Sequence, residues 1–489
     1  MKIILYLSVI ALSTQVIAQT EEDALRYSQN YFGGSAKNNS TAGALSAIGG
    51  DFSVTSQNPS SMARFNKNNF LFTPILVTTN SKSDFYGNTD KSSSKNVKIG
   101  NVSYLKSYKL APEKYSGWMS IQMGAGYNRI NSFENSNRYT GELDSSILDY
   151  FTSSANGTHT DNIYAFFPYT AGLAYDTYAI DPDTLNSYSS GIHSGNAIHS
   201  RYIFSSGSMG EYSVAMSGNY KNKFYIGGTL NAVKVNYKTN FVHTEEFTAK
   251  DSLFLNGIKY IGNLETEGWG YNAKIGLTYL ATSQLSFGLA IHSPTLFTLT
   301  DNWGNDMVSM TDNGKLTITD ENKPTGEYKY NLLTPIKTIL SAGYIIKKKA
   351  TIGAEIEVIN YKNAELSSIK NGDNFYSFSD ENNQIKNIYQ ARVNYKIGGE
   401  YRLNPMVYLR GGYAYYSSPY TRASEVNTSA TQFITAGAGL NFGEFYIDFA
   451  VVSKHLSYDY YAYNPALKGS KSSFRTQELN FSASLGIRF

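Results

Sequence analysis

The chain has 489 residues, no Cys and a formal net charge of +3. Without Cys there are no thiolate ligands, thiol nucleophiles or disulfides, and no lipidated Cys can start a mature chain. The charge is small and scattered, so nucleic acid finds no electrostatic footprint.

Lys2 followed by the apolar run Ile3–Leu12 and by Val16-Ile17-Ala18 reads as a cleavable signal peptide over residues 1–18, with Gln19 opening the mature chain. Beyond it, no apolar run reaches the roughly eighteen residues that a membrane helix needs. The mean hydropathy of −0.33 is still compatible with a membrane protein, because a β-barrel shows only alternate residues to lipid. Tyr is abundant, at 41 residues, and its amphipathic ring suits the two membrane–water interfaces.

Residues 19–66 do not alternate. They carry Gly33-Gly34, the small-residue run from Ala42 to Ser53 and the turn Asn58-Pro59-Ser60-Ser61. Gly residues permit close backbone packing, and Asn-Pro initiates turns. Ala44, Leu45, Ile48, Phe52 and Met62 are apolar enough to need burial. The segment is therefore expected to be a hatch inside a barrel that occupies residues 67–489. Its contacts with the wall should be specific but few, so that it can yield.

From residue 67 onward, period-2 alternation dominates, one face apolar and the other polar. It predicts strands near 67–80, 97–108, 116–130, 211–221, 222–238, 265–280 and 284–293. Further strands are expected near 333–347, 349–362, 386–402, 405–416, 430–442, 443–457 and 474–489. These make about fourteen, an even number, as single-chain bacterial barrels have. Ile275 should face lipid and Lys274 the lumen, with Lys274→Ala the milder change of the two. Glu355, Glu357 and Asp448 should also face inward. The connections alternate between long and short. Long ones cover 81–96, 131–210, 239–264, 294–332, 363–385, 417–429 and 458–473, and turns such as Asn404-Pro405 are short. Long external loops and short periplasmic turns are the pattern of outer-membrane barrels.

The longest connection, 131–210, has Leu143, Ile147, Leu148 and Phe151 at helical spacing. It has a second apolar cluster at Ile163, Phe166, Phe167 and Leu173. Leu148, Phe151, Ile163, Phe166 and Phe167 are candidates for capturing a hydrophobic ligand, or else for packing the long loop on itself. The last strand alternates without interruption from Leu479 to Phe489. Such an ending resembles the closing strand of bacterial outer-membrane barrels and suits recognition by the outer-membrane insertion machinery.

The segment Ala42-Gly43 to Gly49-Gly50-Asp51-Phe52-Ser53, followed by Asn58-Pro59, resembles the N-terminal signature of the FadL-type outer-membrane transporters of long-chain fatty acids and other hydrophobic compounds, in the form found in Bacteroidota. Ile291-His292-Ser293-Pro294-Thr295 and Leu333-Thr334-Pro335 are similar to further family patterns. The family turn is usually Asn-Pro-Ala, where this chain has Ser60 and Ser61. The resemblance implies an all-β, fourteen-stranded transmembrane antiparallel barrel with an N-terminal hatch in its lumen. It also implies passive uptake of hydrophobic small molecules across the Gram-negative outer membrane. Ligand would be caught by the loops and would leave past the hatch or sideways at a kinked third strand. Gly49, Gly50, Asp51, Asn58, Pro59 and Ser60 are the candidate gating residues.

Nothing in the sequence recommends an enzyme. The six His, at 159, 193, 199, 243, 292 and 455, show no metal-site spacing, and no G-x-S-x-G elbow or phosphate-binding Gly loop occurs. No cofactor or metal is expected. The expected partners are a hydrophobic small molecule, outer-membrane lipid and lipopolysaccharide, with no nucleic acid and a monomeric state. A general porin, or a surface adhesin or structural barrel, is the alternative. A wet, unplugged eyelet would favour the porin, and polar display loops the adhesin.

Overall fold

The structure is a computed structural model and describes residues 20–190, 197–247, 255–369, 376–422, 424, 428–463 and 469–489. The expected signal peptide and His193 lie outside the described residues. Alternating side chains need a different medium on each side of a strand, and here closure of the sheet provides both. Fourteen antiparallel strands form the wall. They are β1 (Asn69–Phe85), β2 (Asn88–Lys109), β3 (Trp118–Ser132), β4 (Ala197–Tyr220), β5 (Phe224–Phe247), β6 (Leu255–Leu280) and β7 (Leu285–His292), followed by β8 (Lys337–Ile346), β9 (Ala350–Asn360), β10 (Ala391–Arg402), β11 (Val407–Tyr416), β12 (Thr431–Asn441), β13 (Phe445–Tyr461) and β14 (Lys471–Arg488).

Each strand pairs with its neighbour in sequence, and β1 closes on β14 from Asn69↔Arg488 to Asp84↔Ser473. Closure leaves neither β1 nor β14 as a free edge, which a lipid phase would not tolerate. Even the last residue is tied down, because Phe489 and Asn68 exchange backbone hydrogen bonds of 3.0 and 3.2 Å. The faces follow the alternation. Ile275, Leu485 and Ile487 point outward, whereas Lys274, Ser484, Glu355, Glu357 and Asp448 are buried inside.

Several strands run further than the sequence pattern suggests. Residues 81–96, expected as a loop, are mostly the ends of β1 and β2, joined at Tyr86-Gly87, where both φ angles are positive (49° and 87°). Residues 239–264 and 294–332 likewise contain long stretches of strand. Above the membrane both faces of a strand are wet, so apolar alternation fades while the hydrogen-bonded ladder continues.

Two wall strands break at prolines. Between β7 and the strand Leu296–Thr311 lies Ser293-Pro294-Thr295, and before β8 the strand Thr325–Leu333 ends at Thr334-Pro335. A residue with no N–H interrupts a ladder. The family-like patterns at 291–295 and 333–335 are these two breaks.

Of residues 131–210, expected as one loop, the two ends are strand, up to Leu143 and from Ala197 onward, and residues 144–190 fold as a cap. The segment holds α3 (Ile147–Ala155), two short helices at Ile163–Phe166 and Ala171–Asp176, and a small hairpin of Ile180–Thr184 with Ser187–Ser190. Ser146 starts α3 by accepting a hydrogen bond from Leu148 N, and Asp149 answers from the first turn.

Candidate functional site: the filled lumen and the break in the third strand

The N-terminal segment packs on the inward face of the wall. It comprises α1 (Glu21–Ser28), α2 (Ala36–Ser40) and two 3-10 turns, Phe52–Ser56 and Pro59–Arg64. Its local logic is readable. Gly49 sits at φ 92°, in the left-handed region. Asp51 starts the first turn by accepting Ser53 N at 2.8 Å, and it also accepts the Ser35 hydroxyl. Asn58 starts the second, with Oδ1 accepting Ser60 N at 3.1 Å and Ser60 Oγ at 2.7 Å. Pro59, whose missing N–H costs nothing at a helix start, follows directly.

The wall makes room with inward-facing glycines. A Cβ at Gly227 would lie 2.6 Å from the Pro59 backbone, and one at Gly412 would lie 2.6 Å from that of Thr41. Gly124 similarly leaves space for the Phe52 ring. Gly276 and Gly288 leave space for the Asn58 side chain. Glycine on the wet face of a strand is a signal that sequence reading missed.

Hydrogen bonds then join the segment to strands all around the barrel. Ser60 Oγ meets Thr278 Oγ1 at 2.7 Å. His292 Nε2 donates to Gln57 O at 2.8 Å, and Ser286 Oγ to Ala47 O at 2.8 Å. Ser46 N donates to Glu355 at 3.2 Å, Thr435 Oγ1 to Ser40 O at 2.9 Å, and Ala36 N to Ser484 Oγ at 2.8 Å. The expectation of few contacts is therefore corrected. A segment without a regular sheet of its own must satisfy its buried backbone on the wall.

Inward charges are paired with one another. Lys396 meets Glu355 at 3.1 Å, Lys337 meets Glu357 at 3.3 Å, and Arg410 bridges Glu400 and Asp448 at 2.6 Å each. Lys274 meets Glu211 at 2.5 Å and donates to Ser56 O at 3.1 Å. Lys274→Ala, expected to be the milder change beside Ile275→Lys, would thus strand a buried Glu211. Lys274, His292, Lys337 and Glu357 line a residual cavity of about 40 Å³, room for little more than water.

Above this polar level the lumen turns apolar. Leu25 and Tyr27 of α1 fill a chamber walled by Val233, Val235, Leu264, Phe297 and Leu299. Tyr27 meets the rings of Phe133 and Tyr237 edge-on at 6.0 and 6.5 Å, and Arg26 lies 4.4 Å from the Tyr237 ring.

Phe133 marks a break in the third strand. Pairing of β3 with β2 stops at Asn101↔Asn128, although β2 continues beside β1. β3 stays on β4 through a register shift at Arg129/Asn131, and the path resumes as the strand Asn135–Leu143. The freed backbone finds substitutes. Tyr31 N donates to Ile130 O at 2.9 Å, and Arg129 Nε donates to Ile99 O at 3.0 Å. Glu134, with its side chain only 2% exposed, pairs with Lys98 at 2.6 Å across the break. Side chains and the N-terminal segment thus close an opening that the ladder leaves.

In the cap, Leu148, Phe151 and Ile163 are buried in one apolar cluster with Phe241, Ile258 and Tyr260. Phe167 is half-buried beside it. Phe166 is exposed (60%), as are Tyr164, Tyr178 and Leu185. The candidate capture residues therefore divide into an internal core and a single exposed ring.

A family model described as "Outer membrane protein transport protein (OMPP1/FadL/TodX)" matches residues 33–459. Among solved structures, the toluene transporter TodX of Pseudomonas putida is similar, with 13% identity and a TM-score of 0.54 over 94% of this chain and all of that one. A FadL homologue from Pseudomonas aeruginosa aligns at 12% identity and a TM-score of 0.56, over 94% of this chain and all of its own. At such identities the likeness is one of fold. No curated protein matches by sequence.

Proposed function

The chain belongs to the outer-membrane transport proteins described as OMPP1/FadL/TodX, and from that membership we propose a route for its cargo. The protein is a β-barrel channel of the outer membrane that takes up hydrophobic compounds, and it is not an enzyme. The general porin is not favoured, because the described lumen is filled.

One observation carries the route. An apolar chamber lies inside an otherwise ion-paired lumen, is occupied by Leu25 and Tyr27, and adjoins the break in β3. Burying a large apolar side chain is worth roughly 1.5–3 kcal/mol. An apolar solute of similar size recovers that energy when it replaces α1, so the exchange is nearly balanced. A polar solute does not, and so is rejected. Below the chamber, the solute would have to part the buried ion pairs and the ring of hydrogen bonds. Sideways, it has to displace the Tyr31–Ile130 backbone contact and the side chains of Arg129, Glu134 and Lys98 to reach lipid. Exposed Phe166 on the cap makes the first contact. Gly49, Gly50, Asp51, Asn58, Pro59 and Ser60 hold the hatch that keeps the lower lumen shut.

The barrel acts as a monomer set among outer-membrane lipid and lipopolysaccharide, is exported through the leader over residues 1–18, and is inserted through β14. The route is tested by bridging. The chain has no Cys, so Lys98→Cys with Glu134→Cys gives a clean site for a bismaleimide. Uptake of a radiolabelled long-chain fatty acid, and of toluene, should fall to background on cross-linking and persist in each single variant. Unchanged uptake after complete bridging would rule out the lateral exit.

A further inference from the structure

His199, His243 and Glu245 meet at the outer end of the barrel, where β4 and β5 pass beneath the cap. His199 lies directly across the ladder from Glu245, and His243 is two residues along the same face. All three are fully buried. The Glu245 carboxylate receives Ile147 N at 2.8 Å and the Ser146 hydroxyl, so it also sits at the start of α3.

The hydrogen bonds leave a gap in the chemistry. His199 Nε2 lies 2.7 Å from Ser145 O. A carbonyl only accepts, so Nε2 carries the proton, and a neutral ring then has a bare lone pair on Nδ1. That Nδ1 points at Glu245 Oε1 from 3.3 Å and has no hydrogen-bond partner. His243 Nε2 approaches the same oxygen at 2.9 Å. An acceptor nitrogen facing a carboxylate oxygen in a dry site is repulsive unless a positive species lies between them.

We propose that His199, His243 and Glu245 form a binding site for a divalent cation of the zinc class, which fastens the cap to the barrel. The donor set of two imidazoles and one carboxylate is one that zinc accepts. A tetrahedral ion with bonds of about 2.0–2.1 Å holds its ligand atoms roughly 3.3 Å apart; His199 Nδ1 and Glu245 Oε1 already stand at that spacing, and His243 Nε2, 2.9 Å from the same oxygen, stands somewhat inside it. Ser145 O orients His199 through its other nitrogen, and Ile147 N and Ser146 orient the carboxylate, as outer partners of metal ligands do. Arg201 is the opposing charge. It acts electrostatically on His243 while its guanidinium lies over the Phe241 ring at 4.0 Å. The three donors come from positions 199, 243 and 245, and α3 rests on the third. Bound metal would therefore link the cap core containing Leu148 and Phe151 to two wall strands.

The test uses the full-length, tag-free barrel in detergent, stripped with EDTA and titrated with zinc chloride under calorimetry. Wild type should bind one zinc per chain. His199→Asn, and separately Glu245→Gln, should weaken binding by more than about 100-fold, since outer partners alone are worth roughly 10- to 100-fold. His159→Ala, which alters an exposed His (side chain 40% exposed), should leave binding unchanged, and Arg201→Gln should tighten it. Zinc should also slow proteolysis within residues 131–210 in wild type and not in His199→Asn. X-ray absorption at the zinc edge of the wild-type complex should show imidazole scattering, and needs no variant to fold. Wild type that binds no more tightly than the His199→Asn/His243→Gln double variant overturns the site, as does a zinc spectrum without imidazole. In either case His199 is a protonated member of a metal-free network.

Discussion

Lys274 and Ile275 are adjacent in β6, yet they face opposite media, and their replacement should separate two kinds of cost. Ile275 is 62% exposed to the lipid side. It stands five residue steps before the end of β6 at Leu280. At about 3.3 Å per residue and a tilt near 40°, it lies some 12–13 Å above the turn, close to the middle of an apolar band about 25 Å tall. Ile275→Lys should therefore cost roughly 2–4 kcal/mol of folding into a bilayer. Lys274→Ala acts differently. It removes the partner 2.5 Å from Glu211 and leaves that carboxylate buried. Breaking a buried pair in this way costs about 3–5 kcal/mol, whereas removing both charges is near neutral. Lys274→Met with Glu211→Gln should consequently recover most of the loss. Urea titration of folding into liposomes, followed by gel mobility, measures all four proteins. Wild-type stability for Ile275→Lys would refute the register, because a one-residue slip exchanges the faces. A double variant no better than Lys274→Ala would refute the pair.

The other predictions concern the lumen, the cap and the orientation. Gly227→Val places side-chain atoms where the Pro59 backbone now lies, so it should dislodge the Asn58–Ser60 turn and make liposomes leaky to small polar solutes while the barrel still folds. An intact permeability barrier would show that the turn does not seal the lumen. Phe151→Ala should destabilise the cap by about 3–5 kcal/mol and expose residues 131–210 to protease. Phe166→Ser should leave the cap intact but slow uptake at low solute concentration, and equal proteolysis of the two variants would contradict the division between core and surface. A tag at Gly157, which has open space around it, should bind antibody on intact cells, and one at Asn404 should not. The reverse pattern would invert the barrel.

Much of the fold is legible in the sequence because the rule that writes it is local. Each residue of a barrel strand faces either lipid or lumen, so Leu479 to Phe489 and Tyr271 to Tyr279 declare their faces without reference to any partner. Strand number and the placement of Glu355, Glu357, Asp448 and Lys274 on the inner face follow from that rule. The turn Asn58-Pro59 and the positive φ at Gly49 are equally local, since they belong to residue types. Where both faces of a strand are wet the rule loses its contrast, which is why residues 81–96 read as loop although most of them are strand. Partnership is another matter. That Lys274 answers Glu211, that Leu25 and Tyr27 fill a chamber made by strands hundreds of residues away, and that His199 and His243 converge on Glu245 all depend on the register with which the sheet closes. The departure of β3 from β2 after Asn128 depends on it too, because it comes where the N-terminal segment stands ready to take over the freed hydrogen bonds. Periodicity reports the medium on each side of a strand, whereas closure alone decides which side chains share the interior.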